Sequence, residues 1–295
     1  MSLQKYIALL KAAELGSISR AAEQMGYTQP AVSRMIADLE KEWNVELLRR
    51  GRNSLEVSTA CERLLPVLRA LQADSEELEY LVGEFHGIRS GHVRVGSFTS
   101  VSDMWIPKLL KSFQEQYPNI EFDVINMDTY VEVEDWIRHG KVDCGFVSLP
   151  TTNDLDTHFL MRDELVAVLP PNHPMADAEV FPVRALEGAP FINCREKADY
   201  EVFRFLERIP YKPQQRYEAS SDHTILAMVE SGLGIGISYS LIADTSRYNI
   251  VWKRFDHGQH RDIGIATAKN ARLTSAAKLF IDHVRAYFGK EKTQD

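Results

Sequence analysis

Apolar positions along residues 1–58 recur at helical spacing. Tyr6, Ile7, Leu9, Leu10 and Ala13 form one stripe that Gly16 ends. Ser17 can cap a short second helix from Ile18 to Met25, which carries the small pair Ala21-Ala22. Gly26-Tyr27 makes a turn and Thr28 is a natural cap for a third helix. Pro30 sits in that helix's first turn, where a backbone N–H is not needed. Two helices joined by such a glycine turn form a helix-turn-helix. On the third helix Val32, Ile36, Leu39 and Trp43 make a core stripe; Pro30, Ser33, Arg34 and Ala37 face the other way, with Gln29 beside them. Val45 to Leu48, a turn from Arg49 to Ser54, and Leu55 to Val57 read as a two-stranded wing with Arg49, Arg50 and Arg52 at its tip.

Thr59-Ala60-Cys61-Glu62 fits a capping box that opens a long helix. Leu64, Leu68, Leu71, Ser75, Leu78, Val82 and Phe85 follow at alternating steps of four and three, a heptad seam with one polar position. The N-terminal module is too small to cover that seam, which therefore predicts pairing with a second copy. Pro66 costs the helix a hydrogen bond and predicts a local bend. From His92 onward short apolar strands (92–97, 121–126, 142–147) alternate with helices (104–116, 130–139). A second set follows at 165–169, 190–193, 221–230, 233–238 and 250–255; a strand at 263–267 and a helix at 273–288 close the chain. This is α/β organisation with a mainly parallel sheet.

Charge changes the picture at the N-terminus. The net charge of −8 argues against a chain that coats nucleic acid along its whole length. Residues 1–58 nevertheless hold eight Lys/Arg against seven acids, while the remainder holds 26 against 35. Arg34, Arg49, Arg50 and Arg52 lie within 19 residues of one another, which suits small-footprint binding to double-stranded DNA. Gln29, Ser33 and Arg34 are types that read base edges or clamp phosphates, and small Ala37 lets the helix approach a groove. No apolar run approaches the roughly 18 residues needed to span a bilayer, and the first 30 residues carry no cleavable signal pattern. Cys61, Cys144 and Cys194 are 83 and 50 residues apart, too sparse for a disulfide or Cys-x-x-Cys metal framework. The expectation is a cytoplasmic protein with no membrane partner.

Ligands of α/β sheets bind beyond the carboxyl ends of the strands. Thr99, Ser100 and Ser102 follow the first strand and lead into a helix, a setting suited to an anion. Thr129 and Ser148 end the next two strands; Asn193 and Arg195 end a strand of the second set, and Ser221 precedes a helix. These are candidate contacts for a small anionic or polar effector. Other signals carry less. Gly232, Gly234 and Gly236 follow a helix and enter a strand, the reverse of a dinucleotide-binding turn, and read as tight packing. His257 and His260 lack a companion at metal-ligand spacing, Cys144 reads as core, and Cys194 has no resolving cysteine nearby. No nucleophile–base set emerges, so neither an enzyme nor a cofactor or metal is expected. The rivals are a solute-binding protein with an added helical domain and an enzyme using the cleft.

Gly16-Ser17-Ile18-Ser19-Arg20-Ala21-Ala22, Thr28-Gln29-Pro30-Ala31-Val32-Ser33-Arg34, Ile36 and Leu39-Glu40 together resemble the LysR-type transcriptional regulators. The resemblance continues through Ile106-Pro107, Gly140-Lys141-Val142-Asp143, His173-Pro174, Pro190-Phe191-Ile192 and Val229 to Gly236. It departs at Leu47-Leu48-Arg49-Arg50, where the family commonly has Leu-Phe-x-Arg, and at Ala60-Cys61, where it commonly has Ala-Gly. The family likeness implies a winged helix-turn-helix at 1–58 and a linker helix at 59–90. It implies a periplasmic-binding-protein-like effector domain at 91–295, with one subdomain at 91–161 plus 265–295 and another at 162–264. It implies DNA contacts from Ser17, Ser19, Thr28, Gln29, Pro30, Ser33, Arg34, Arg50 and Arg52. It also implies a homodimer or homotetramer on a pseudo-palindromic promoter site, with RNA polymerase as a further partner.

Overall fold

The computed structural model describes residues 2–50, 55–85, 89–127, 129–195, 201–244 and 247–291, with the backbone alone for Arg50, Lys290 and Glu291. Three helices open the chain: α1 (Leu3–Leu15), α2 (Ile18–Met25) and α3 (Gln29–Trp43). Gly16 at φ 59° and Gly26 at φ 69° end the first two in the left-handed conformation that favours glycine, and Asn44 at φ 52° ends α3 in the same way. The Ser17 hydroxyl caps α2 by accepting from Arg20 N at 3.3 Å. Thr28 holds the cap position of α3, yet its carbonyl rather than its hydroxyl takes the bonds, from Ala31 N and Val32 N. Tyr6, Leu9, Leu10, Ala21, Ala22, Val32, Ile36 and Leu39 are buried together in one core, with Trp43 packed on it.

Strands β1 (Leu48–Arg50) and β2 (Leu55–Val57) pair antiparallel as the wing. Arg49 and Arg50 therefore lie in a strand, not in the turn the pattern placed them in; Arg52 lies outside the described residues. A link that sequence pattern does not show joins wing to helix. The Glu40 carboxylate on α3 accepts from Leu47 N at 2.7 Å and from Leu48 N at 3.2 Å, where the chain enters β1.

Helix α4 (Thr59–Phe85) follows without a break, Pro66 included. Its cap is Ser58 and not Thr59: the buried Ser58 hydroxyl accepts from Cys61 N at 3.1 Å and donates to the Glu46 carbonyl at 2.6 Å. One residue earlier, the cap also ties the linker to the wing's entry, and Glu62 is left exposed. Cys61 lies in the head's core, where burial pushes its thiol up to about 11. The first part of the heptad seam is not a seam. Leu68 is buried and Leu64 half-buried against the same core, and the exposed stretch begins at Leu71.

The remaining chain forms β3 (Ser90–Phe98), α5 (Thr99–Met104), α6 (Ile106–Gln114), β4 (Asn119–Met127), α7 (Tyr130–Arg138), β5 (Cys144–Leu149), β6 (Leu155–Leu169), β7 (Pro190–Cys194) and α8 (Glu201–Arg208). Then come β8 (Gln214–Ala219), α9 (Asp222–Glu230), β9 (Gly236–Tyr239), α10 (Ser240–Ala243), β10 (Val251–Arg254), β11 (His260–Ala268) and α11 (Ser275–Glu291). The expected helix at 104–116 is two helices, broken at buried Trp105, with Pro107 in the first turn of the second. The sheet is mixed rather than mainly parallel. β3 pairs parallel with β4 and β5, but β6 and β11 run antiparallel to each other, and β11 antiparallel to β5. The reason is that these two strands carry the chain between the two halves in opposite directions. β9 and β10 pair with the far end of β6, and β7 with β8 forms a separate parallel pair. α11 returns to pack Phe280, Val284 and Phe288 against Val93, Val95 and Leu109 of the first half. Gly234 is packed as its motif suggests: a Cβ there would lie 2.6 Å from the Pro190 carbonyl. Among the described residues no helix is long and apolar enough to cross a membrane.

Removing the Glu40 carboxylate leaves two backbone donors without their charged acceptor. Glu40→Ala is expected to destabilise the N-terminal domain by about 2 kcal/mol, read as faster amide exchange across α1–α3 and a lower urea midpoint.

Candidate DNA-reading face and effector cleft

The exposed face of α3 carries Gln29, Pro30, Arg34 and Ala37, with Ser33 half-buried beside them and Val32, Ile36 and Leu39 turned inward. Ser19 and Thr28 are exposed next to this face, whereas the Ser17 hydroxyl is engaged in its cap. Among the described residues neither Gln29 nor Arg34 makes a side-chain hydrogen bond or ion pair, so both donors face solvent unspent. Asp38, one turn beyond Arg34, would repel phosphate; Lys5 of α1 meets it at 3.0 Å and holds its carboxyl below the ordinary carboxylate range. Arg49 is bonded to Glu46 at 2.7 Å on the surface.

The crossover strands build the second candidate site. Arg261 on β11 stands directly opposite Asp163 on β6, and both side chains are buried. Its Nε and Nη2 donate to Asp163 Oδ2 at 3.0 and 2.7 Å. Nη2 also donates to Ser100 Oγ at 2.7 Å and Nη1 to Tyr130 Oη at 2.6 Å. The guanidinium lies over the Tyr239 ring, 3.6 Å from its centroid, with the Phe98 ring 4.9 Å away. The other Asp163 oxygen accepts from Ser240 Oγ at 2.8 Å and Leu241 N at 3.0 Å. A second bridge uses Glu201, which accepts from Ser148 Oγ at 3.1 Å and from Tyr239 Oη at 2.5 Å. Burial of Tyr130, only partly offset by Arg261, pushes its hydroxyl up to about 12.

Beside this network a cavity of about 430 Å³ opens between α5 and α9, lined by Thr99, Ser100, Ser102, Asp222, His223 and Arg247 among others. Asp103 and His223 close one side at 2.9 Å. Of the expected effector residues, Thr99, Ser100 and Ser102 thus meet in one cavity and Ser148 joins the Glu201 bridge. Asn193 is buried, and its Oδ1 has no partner. Ser221 is the exposed N-cap residue of α9, with no side-chain cap bond. Thr129 instead donates to Glu132 at 2.7 Å, and Arg195, largely exposed, pairs with Glu218 at 3.2 Å. Pattern reading missed Arg261, Asp163, Tyr130, Tyr239, Glu201 and Arg247. Among the described residues no cluster of three His, Cys, Asp or Glu could hold a metal ion.

Comparison with known proteins decides the family. Residues 86–289 match the profile described as LysR substrate binding domain, and residues 3–62 match that of the bacterial regulatory helix-turn-helix protein, lysR family. The chain belongs to the LysR family. Over 294 residues it is 27% identical to the HTH-type transcriptional regulator YvbU of Bacillus subtilis, covering 99% of this chain and 100% of that one. Full-length OxyR C199D from Pseudomonas aeruginosa shares the fold at a TM-score of 0.75 and 20% identity, over 97% and 98% of the two chains. Full-length CbnR, solved with its target DNA, does so at 0.58 and 19%, over 98% and 100%. The protein is thus a LysR-type transcriptional regulator with a DNA-binding helix-turn-helix and an effector-binding domain.

Because Tyr130 titrates near 12 when folded against about 10 when unfolded, the unfolded state loses its proton first. Stability from this group is complete below pH 10 and is lost as pH rises towards 12. Wild type should lose about 2 kcal/mol more than Tyr130→Phe over that interval, measured as the difference in urea midpoints.

Proposed function

We propose that this LysR-type regulator binds a pseudo-palindromic promoter site as a homodimer or homotetramer, under control of a small anionic or polar metabolite held between two effector subdomains. The observation that carries the DNA reading is the pair of exposed side chains Gln29 and Arg34, with half-buried Ser33 between them, on a helix whose opposite side is buried. Thr28, Pro30, Ser19, Arg50 and Arg52 join it as backbone or minor-groove contacts, and the CbnR–DNA structure supports this use of the fold. Pairing rests on α4, which exposes Leu71, Leu78, Val82 and Phe85 along one stripe; Phe85 is 88% exposed. Covering that stripe with a second copy places two reading helices on successive groove faces.

The effector site is assigned to the cavity of Thr99, Ser100 and Ser102, with Ser148, Asn193 and Ser221 kept as further candidate contacts. Arg247 supports an anion, since it lines the cavity and makes no ion pair among the described residues. Subdomain I comprises 91–161 plus 265–295 and subdomain II 162–264, so occupancy changes the angle across β6 and β11 and thereby the spacing of the DNA-binding heads. The cleft regulates rather than catalyses, the protein acts in the cytoplasm, and RNA polymerase is its further partner.

Footprinting on the intergenic DNA beside its own gene, with and without carboxylate and phosphorylated metabolites, tests the whole reading; no protected site overturns it. In that assay Arg34→Ala should lose about 1–3 kcal/mol of discrimination between the site and its base substitutions; a changed salt slope with unchanged preference would make Arg34 a phosphate clamp. Leu78→Asp combined with Phe85→Asp should yield monomers by sedimentation velocity. Arg247→Ala should weaken the metabolite-dependent change at least tenfold in metabolite concentration.

A further inference from the structure

We propose that helix α7 is the strut through which the inter-subdomain site sets the pose of the DNA-binding head, with Tyr130 and Arg69 as the positioning residues at its two ends. The inference rests on the effector reading above and adds how occupancy reaches the head.

At the front end, Tyr130 Oη takes one nitrogen of Arg261 at 2.6 Å, and the same guanidinium holds Ser100 at 2.7 Å. Ser100 lines the cavity. A ligand that claims its hydroxyl changes what Arg261 is bonded to, and so what holds Tyr130. At the far end, the His139 carbonyl just beyond α7 accepts from Arg69 Nη1 of the linker helix α4. Arg69 Nη2 lies 3.6 Å from Glu14 of α1, and both side chains are largely shielded from water. Arg69 Nε is buried without a partner, so the side chain is held through its two terminal nitrogens. The two ends are about 13 Å apart at 1.5 Å per residue.

The strut is stiff. Val133 and Ile137 sit in notches left by Gly96 of β3 and Gly145 of β5. A Cβ on Gly145 would lie 2.9 Å from Ile137 and 3.0 Å from Val133, and one on Gly96 would lie 3.1 Å from Val133. The buried Glu134 carboxylate accepts four hydrogen bonds from Thr152 and Asn153, pinning α7 to the loop after β5. The helix therefore cannot slide over the sheet. It turns with its subdomain and carries the His139 carbonyl with it, dragging Arg69 and its Glu14 contact. Other ties hold α4 to the effector domain further along the helix: Glu77 accepts from Ser275 N and Oγ at 2.6 and 2.7 Å, Arg272 pairs with Asp74 at 2.8 Å, and Arg94 with Glu76 at 3.8 Å. The Arg69 contact lies nearer the head and also reaches Glu14 of α1.

Amide hydrogen exchange on the full chain tests this through Tyr130→Phe, which keeps the ring and removes only the hydroxyl. Expected are rates at least threefold faster along residues 8–15 and 64–72, remote from the substitution. Arg69→Met should speed the same amides, and the double variant should add nothing beyond it. Val131→Ala, an exposed position one residue away, should leave them unchanged. If Arg69→Met does not fold, Glu14→Gln reads the same end. Changes confined to the cleft, or additive effects in the double variant, overturn the strut. Footprinting with the wild type separates the two claims: a protected promoter site without this long-range coupling sinks the strut alone, whereas coupling without a protected site sinks the proposed function alone.

Discussion

The pairing of Arg261 with Asp163 is the constraint on which the effector domain depends. Both charges are out of water, so each is tolerable only because the other is present and the remaining hydrogen-bonding capacity is filled. The pair lies across β6 and β11, the two strands that pass between the halves of the domain. Through Ser100 and Tyr130 it grips the first half, and through Ser240 and Leu241 the second. Its aromatic lining of Tyr239 and Phe98 keeps solvent from competing while leaving the guanidinium a favourable face to rest on. This joint, with the Glu201 bridge and the Asp103–His223 pair beside it, fixes the geometry of the cleft.

The head of the molecule was legible in the sequence because its signals are local. A cap, a glycine and an apolar stripe within a few residues of each other specify helix, turn and buried face together, and they do so at Gly16, Gly26 and Val32 to Leu39. The cleft was only half legible. Ser100 and Ser102 could be found because they end a strand and begin a helix, whereas Arg261 lies 98 residues from Asp163, and no spacing rule connects them. Arg195 illustrates the converse: its position at a strand end is right for a ligand contact, but Glu218 on the neighbouring strand holds it at the surface. The heptad along α4 misled for a related reason. Periodicity records which face of a helix is apolar, not what covers it, and Leu64 and Leu68 are covered by the head's own core. The first ten residues of β6 and all of β8 went unread because runs of consecutive exposed side chains leave no clear alternation to read.

The two departures from the family pattern both fall on the head's core. Cys61 fills space in the head's core where a glycine would leave a void, and Leu47 is buried there with Leu48 packed beside it. Burial as an inert apolar filler explains why a thiol at this position is compatible with the fold; its raised pKa keeps it protonated and unreactive.

The Glu40 clamp has a consequence for the duplex. Because one carboxylate holds the start of the wing to the recognition helix, the two elements keep a constant separation and meet the nucleic acid as a single template. A target whose helical repeat or groove width does not match that template must itself be overwound, bent or compressed. Under the proposed DNA reading, base pairs that no side chain touches would then acquire an energetic preference through their stiffness, and selectivity would extend beyond the letters read directly.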